Sequence, residues 1–283
     1  MEKRGEKITS LPWAHLHLPP FPQVAIRVLQ LANKENAQLQ ELCDLISADP
    51  AFASEVLAVA NSILYAPRFP ATSILQAVTV LGANTLQGMC ITVGVRAYLG
   101  KAMHYPAIHN LWRHSLACAI VAERLASVGL IDKEEAYTAG ILHDIGRMAL
   151  AVVLPSDYAA LLEAKCGPAG SILEGERELF GWDHCEMGLQ LAGDWKLPSE
   201  LEPVVSGHHE PRRTDGAWDV AELIKVSCRI ADTAGFPAFH GCVKTPYTEL
   251  LGLLPARERR LFYPELAPLA FEVAQSIRAI ERA

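Results

Sequence analysis

No apolar run in this chain approaches the roughly 18 residues that a membrane-crossing helix requires. Its 51% hydrophobic content over 283 residues must therefore fill a globular core, in one large domain or two modest ones. Blocks of like charge are missing too. The 25 basic and 32 acidic residues are spread along the whole length and leave a formal charge of -7. That balance gives little of the attraction that dominates binding to nucleic acids, so such a partner is not expected. The opening "MEKRGEKITSLPW" has basic residues but no apolar stretch behind them, so it does not read as a secretory signal. The seven cysteines, at 43, 90, 118, 166, 185, 228 and 242, contain no C-x-x-C pair. Several sit in apolar patterns where a thiol acts as a small hydrophobe, and a reducing cytoplasm is the expected location. Convincing period-two alternation is also lacking, which argues against Rossmann and barrel folds.

What is present is helical periodicity. In "AQLQELCDLISADP", Leu39, Leu42, Cys43 and Ile46 form one apolar stripe. Asp49 and Pro50 then read as the N-cap and first position of the next helix. Gly82 separates "SILQAVTVLG" from "ANTLQGMCITVGVRAYLG" as a C-cap. The chain is expected to be all-α, with a lobe of about five short helices over residues 18–105 and a second helical lobe over 106–283. The second lobe reads as helices around "LWRHSLACAIVAERLASVG", residues 134–153, "DHCEMGLQLAGDW", "AWDVAELIKVSCRIADTAG" and 264–282.

Polar residues interrupt the apolar patterns of this second lobe at repeated places. His114 shares a helical face with Ala117, Cys118 and Val121, so it points inward and needs a partner. His143 and Asp144 are flanked by Ile141, Leu142 and Ile145. His184, the pair His208 and His209, and Asp232 follow. A lone histidine in a helix is ordinarily a residue satisfied by its neighbours. A carboxylate buried beside imidazoles is costly unless hydrogen bonds or a cation compensate. A divalent metal does so, and nitrogen with oxygen ligands suits iron, manganese, zinc or nickel better than calcium.

The order H…HD…H…HH…D resembles the HD superfamily of metal-dependent phosphohydrolases, and the first lobe resembles its HDOD branch. The carrying segments are "LPPFPQVAIRVLQLA", "LISADPAFASEVLAVANSILYAP", "SILQAVTVLGANTL", "HSLACAIVAERLA", "AGILHDIGRMAL", "DHCEMGLQLAGDWKLP", "SGHHEP" and "CRIAD", over residues 18–235. The resemblance implies two divalent transition-metal ions, iron or manganese ahead of zinc or nickel. It places His114, His143, Asp144 and Asp232 around one ion, and His184, His208 and His209 around the other, with Asp144 bridging. A water between ions about 3.5–4 Å apart would attack phosphorus in line.

Several residues depart from the catalytic relatives. The HD-GYP phosphodiesterases of cyclic di-GMP carry lysine where this chain has Arg147, a residue that still offers a fork of donors to phosphate. Asn110 stands where some have a further glutamate ligand, which argues against a third ion. "HHEPRRTDGAWD" keeps Asp215 and Gly216 but continues with Ala217 and Trp218 instead of the GYP signature. Hydrolysis of cyclic di-GMP is therefore not expected. Glu210 is a candidate to orient an imidazole from outside the ligand set, and Arg212 and Arg213 are candidates for phosphate. Asn61, Ser62 and Tyr65 are expected to fix a helix end, and Trp182 and Trp195 to pack. No role is expected for His15, His17, His104, His109 or His240.

HDOD proteins are generally regulatory domains beside sensor or output domains, often with eroded ligands, and no erosion is seen here. The expectation is a signalling protein with a dinuclear site that meets its protein partner in trans. A phosphorylated small molecule is a further expected ligand. The alternative is an active phosphohydrolase on a nucleotide or cyclic dinucleotide.

Overall fold

Asp49 shows how the first lobe is assembled from local signals. In a computed structural model its carboxylate accepts from the backbone N–H groups of Ala51 and Phe52 at 3.1 Å each, with Pro50 at the first position of α3 (Pro50–Ala60). The structure describes residues 18–283 apart from 33–38, 63, 64, 66, 165–168, 214, 215 and 243, so His15, His17, Cys166 and Asp215 lie outside the described residues. The far end of α3 is held by Asn61. Its side-chain amide donates to Ala71 O at 2.9 Å and accepts from Ala71 N at 2.7 Å, the expected structural role for this residue. Ser73 then caps α4 (Ile74–Leu81), and Gly82, with φ of 89°, turns the chain into α5 (Ala83–Leu99).

With α1 (Gln23–Ala32) and α2 (Leu39–Ser47), these make the expected five-helix lobe. On α2 the residues Leu42, Cys43 and Ile46 are buried, whereas Leu39 starts the helix and is exposed. Helix α5 is buried almost all round from Leu86 to Leu99 because it packs on α1, α3 and α4 on one side and on the second lobe on the other. Phe21, Tyr98 and Trp195 stack with ring centroids 4.7–5.6 Å apart, which places Trp195 in packing as expected.

The second lobe centres on α6 (Pro106–Val128), with α7 (Lys133–Leu142) and α8 (Ile145–Val153) against it. It continues with α9 (Pro155–Ala164), α10 (Ala169–Phe180), α11 (His184–Asp194), α12 (Glu202–Gly207) and α13 (Val220–Thr233). Two short helices the periodicity does not announce, α14 (Tyr247–Leu253) and α15 (Ala256–Leu261), precede the expected last helix, α16 (Leu266–Glu281). No strand occurs among the described residues, and none of the helices is long and apolar enough to cross a membrane.

One expectation needs correction. Residues 134–153 are not one helix: His143 ends α7 and Asp144 caps α8 with φ -100° and ψ 23°. Two glycines explain why the break occurs there. A Cβ on Gly140 would lie 2.5 Å from the Ala119 Cα on α6, and one on Gly146 would lie 1.9 Å from the His184 carbonyl oxygen on α11. The first contact presses α7 onto α6 and the second presses α8 onto α11, and a continuous helix cannot serve both neighbours.

Candidate metal centre

Four imidazoles of the second lobe have committed the same nitrogen to an acceptor. His114 Nδ1 donates to Phe236 O at 2.7 Å, His143 Nδ1 to Gly140 O at 2.7 Å, and His208 Nδ1 to Val204 O at 3.1 Å. His184 Nδ1 donates to the Glu176 carboxylate at 2.6 Å. Each carbonyl or carboxylate can only accept, so Nδ1 carries the proton and Nε2 is left as a bare lone pair. His209 reaches the same state by another route, since its Nε2 faces Arg147 Nη2 at 3.2 Å and a guanidinium only donates. Five Nε2 atoms thus offer lone pairs.

Four of them converge around the carboxylate of Asp144, and the fifth, on His209, meets His184 beside it. On its Oδ2 side stand His143 Nε2 at 3.5 Å and His114 Nε2 at 3.9 Å. On its Oδ1 side stand His208 Nε2 at 3.2 Å, His184 Nε2 at 3.6 Å and Arg147 Nε at 3.0 Å. His184 Nε2 and His209 Nε2 are 2.9 Å apart, so two lone pairs confront each other. His143 Nε2 and His208 Nε2 have no hydrogen-bond partner although both rings are buried. Buried acceptors aimed at a carboxylate and at one another are costly unless a cation lies among them. The donor set fits a divalent ion on this ground, and the residues that would hold it are these imidazoles and Asp144.

The electrostatics agree with neutral imidazoles at His143, His184 and His209 beside an ionised Asp144. Burial pushes His143 down to about 3, against the opposing pull of Asp144. Burial likewise lowers His184 and His209, with Arg147 adding to the effect on both. For Asp144 burial works upward, but Arg147, His143 and His208 outweigh it and hold the carboxyl well below its ordinary range. Arg147 is 1% exposed, its charge opposed by burial and sustained by Asp144. Its guanidinium lies 5.6 Å from the Phe239 ring centroid, and Nη1 has no partner.

Two residues outside the sequence pattern complete this arrangement. Glu176 is fully buried on α10, where it accepts from Tyr158 Oη at 2.6 Å and from both the backbone and the ring of His184. Burial pushes Glu176 upward, yet His184, Arg147 and Tyr158 bring it down to about 2. It does for His184 what Glu210 was expected to do. Glu210 is exposed and bonds to none of these imidazoles among the described residues. The signal for Glu176 was its spacing of eight residues from His184, across a helix end that local periodicity does not connect. The second residue is Cys228, whose Sγ lies 3.4 Å from His114 Nε2 and which groups with His114 and His143 as donors.

Asp232 stands apart from the Nε2 cluster. Its Oδ1 is 3.3 Å from His114 Nδ1, the opposite ring nitrogen, and accepts from Ala238 N at 3.2 Å, while Oδ2 accepts from the Cys242 thiol at 3.4 Å. These donors hold the carboxylate behind His114, where burial raises its pKa. Arg212 donates to Leu253 O at 2.6 Å, and Arg213 pairs with Asp219 at 2.6 Å, so both are engaged by the surrounding chain.

The fold has counterparts among known proteins. A crystal structure named "Putative phosphohydrolase" from Shewanella amazonensis aligns over 94% of each chain at 25% identity and a TM-score of 0.65. An HDOD domain protein of unknown function from Geobacter sulfurreducens aligns over 94% of this chain and 92% of its own at 25% identity and a TM-score of 0.68. A protein named "Putative signal transduction protein" from Marinobacter aquaeolei shares the fold, with a TM-score of 0.71 at 24% identity over 95% of this chain and 61% of its own. An uncharacterized protein of Treponema pallidum is 25% identical over 198 residues, 68% of this chain but 37% of that relative's length. The HDOD domain model matches residues 18–211, and the chain belongs to the HDOD family.

Proposed function

We propose that this chain is a cytoplasmic regulatory protein of the signalling type whose buried centre binds divalent transition metal. The observation that carries metal binding is the set of five Nε2 lone pairs, four facing Asp144 and that of His209 facing His184. Two ions would share that carboxylate, one with His114 and His143 and the other with His184, His208 and His209. The second must compete with Arg147 for Asp144 Oδ1. Asp232 would act through His114, holding its Nδ1 side and so aiming Nε2, as carboxylates behind ligating histidines do.

Regulation is favoured over turnover by enclosure. His114, His143, Asp144, Arg147 and His184 are each at most 1% exposed, and only His209 in the imidazole set is part-exposed. The cleft of about 390 Å3 lined by Leu29, Asn84, Gln87, Glu135 and Leu201 lies elsewhere, between the lobes. A signalling partner would meet the outer surface in trans. A phosphorylated small molecule is the ligand class suited to the spare Arg147 Nη1, entering beside His209.

The second reading is a phosphohydrolase, supported by the retention of all seven positions of the H…HD…H…HH…D pattern. A bound divalent ion supplies Lewis acidity and a more acidic water. The chain's own part is to hold the ion and to neutralise phosphate through Arg147. Metal analysis of the purified protein and of Asp144→Ala, with a phosphodiesterase screen on both, tests these readings. Wild type should carry about one to two ions per chain and the variant far less. A folded wild type that takes up no metal sinks the proposal. Metal-dependent turnover lost in Asp144→Ala replaces regulation with the hydrolase reading.

A further inference from the structure

The Oδ2 side of Asp144 holds a donor that the H…HD…H…HH…D pattern does not contain. Cys228 is on α13, one turn before Asp232, and its Sγ reaches His114 Nε2 at 3.4 Å. His114 has already given its Nδ1 proton to Phe236 O, so its Nε2 can only accept, and the thiol S–H is the donor. His143, whose Nε2 is buried and without a hydrogen-bond partner, offers a ring nitrogen within 4.8 Å of donor atoms of Cys228 and His114. The Asp144 Oδ2 atom lies 3.5 Å from His143 Nε2 and 3.9 Å from His114 Nε2.

These separations approach those of ligands around one small ion. A tetrahedron with metal–nitrogen and metal–oxygen bonds near 2.0–2.1 Å and a metal–sulfur bond near 2.3 Å has edges of about 3.3–3.6 Å. The sulfur contact at 3.4 Å and the His143 contact at 3.5 Å fall inside that range, and the His114 to Asp144 edge is slightly open at 3.9 Å. Asp232, by contrast, is tied to Ala238 and Cys242 behind the ring.

We infer that Cys228 is a thiolate ligand of the ion held by His114 and His143, so that this side of the centre selects zinc over iron or manganese. Sulfur with nitrogen in four-fold coordination suits zinc, whereas an all nitrogen and oxygen set leaves manganese and iron competitive. On binding, the S–H bond breaks as the sulfur–metal bond forms, and the thiol proton leaves to solvent. The metal replaces the proton that now bridges Cys228 and His114. No electron is transferred.

The inference rests on the proposal that the centre binds metal, and cobalt(II) separates the two. Cobalt(II) added to the metal-free 283-residue chain should produce the near-ultraviolet thiolate-to-metal absorption band. The band should persist in Cys118→Ser and Cys185→Ser and vanish in Cys228→Ser. Zinc affinity should fall in Cys228→Ser by at least the roughly 10–100-fold that loss of an outer partner costs. Cobalt bound without the band, or with a band that survives in Cys228→Ser or disappears in Cys185→Ser, overturns the assignment while leaving metal binding intact. No cobalt uptake at all refutes metal binding itself. Should Cys228→Ser fail to fold, X-ray absorption at the zinc edge of wild type decides: a sulfur neighbour at about 2.3 Å is expected, and nitrogen and oxygen neighbours alone would refute it.

Discussion

The two sides of the Asp144 carboxylate solve the same problem differently. On the Oδ1 side three imidazoles meet a permanent cation, because Arg147 donates to Asp144 at 3.0 Å and contacts His209 at 3.2 Å. On the Oδ2 side His114 meets only the proton of Cys228, and His143 Nε2 meets no donor. One side is partly compensated when no ion is bound, and the other is not. The chain can therefore fold around half of its centre and leave the remaining demand for a ligand. Filling should be ordered, with the His114 side first.

The largest expected effect on this contrast comes from deleting the built-in cation. Arg147→Met strips Asp144 of its ion pair, and the metal-free variant should lose about 3–5 kcal/mol of stability. Zinc titration followed by calorimetry should then show a second ion entering more readily than in wild type. An unchanged affinity for the second ion would mean that Arg147 does not compete for Oδ1. Glu176→Gln should act on one side alone, weakening the second ion about 10–100-fold while the first keeps its affinity. Equal weakening of both ions would show that the two sides are one site.

Acid should expose the neutrality of the rings. His143 binds its proton only near pH 3 in the fold but near 6.5 when unfolded, so the unfolded state holds more protons between those values. Stability from this histidine is complete above about pH 6.5 and is lost as the pH falls toward 3, by up to about 1.4 kcal/mol per pH unit. His184 and His209 are shifted in the same direction. Thermal melts of metal-free protein should therefore drop on acidification, and a flat profile from pH 7 to 5 would contradict neutral rings. The smallest effect belongs far from the centre. Asp49→Ala removes the α3 cap and should cost about 1 kcal/mol with metal content untouched.

How much of this was written in the sequence depends on how local the cause is. Asp49, Ser73 and Gly82 act within a few residues, and the helices they bound are legible from spacing alone. The seven polar positions were legible as a pattern, and the structure gathers six of them, Asp144 and five histidines, into one cluster. The orientation of Asp232 toward the Nδ1 side of His114 was not legible, because it is set by Ala238 and Cys242, six and ten residues further on. Cys228 looked like one more small apolar residue in α13 until α6 was packed against it. Glu176 was hidden because α10 reads as an ordinary amphipathic helix, and nothing in its own period marks one carboxylate as the partner of His184. The break at His143 and Asp144 escaped as well, since apolar residues run straight through it.

Gly140 and Gly146 give that break a wider meaning. Each contributes no ligand, yet each fixes a backbone distance that side chains cannot adjust: α7 against Ala119, and α8 against the His184 carbonyl. The gap between the His114 and His184 halves is thus set by main chain meeting main chain. Among relatives, a chain that kept every histidine but exchanged either glycine for a larger residue would carry a full set of ligands at the wrong spacing. A survey that counts ligands would score it as intact. The diagnostic unit in this protein is the seven-residue span "GILHDIG", glycine to glycine, and not the two letters at its middle.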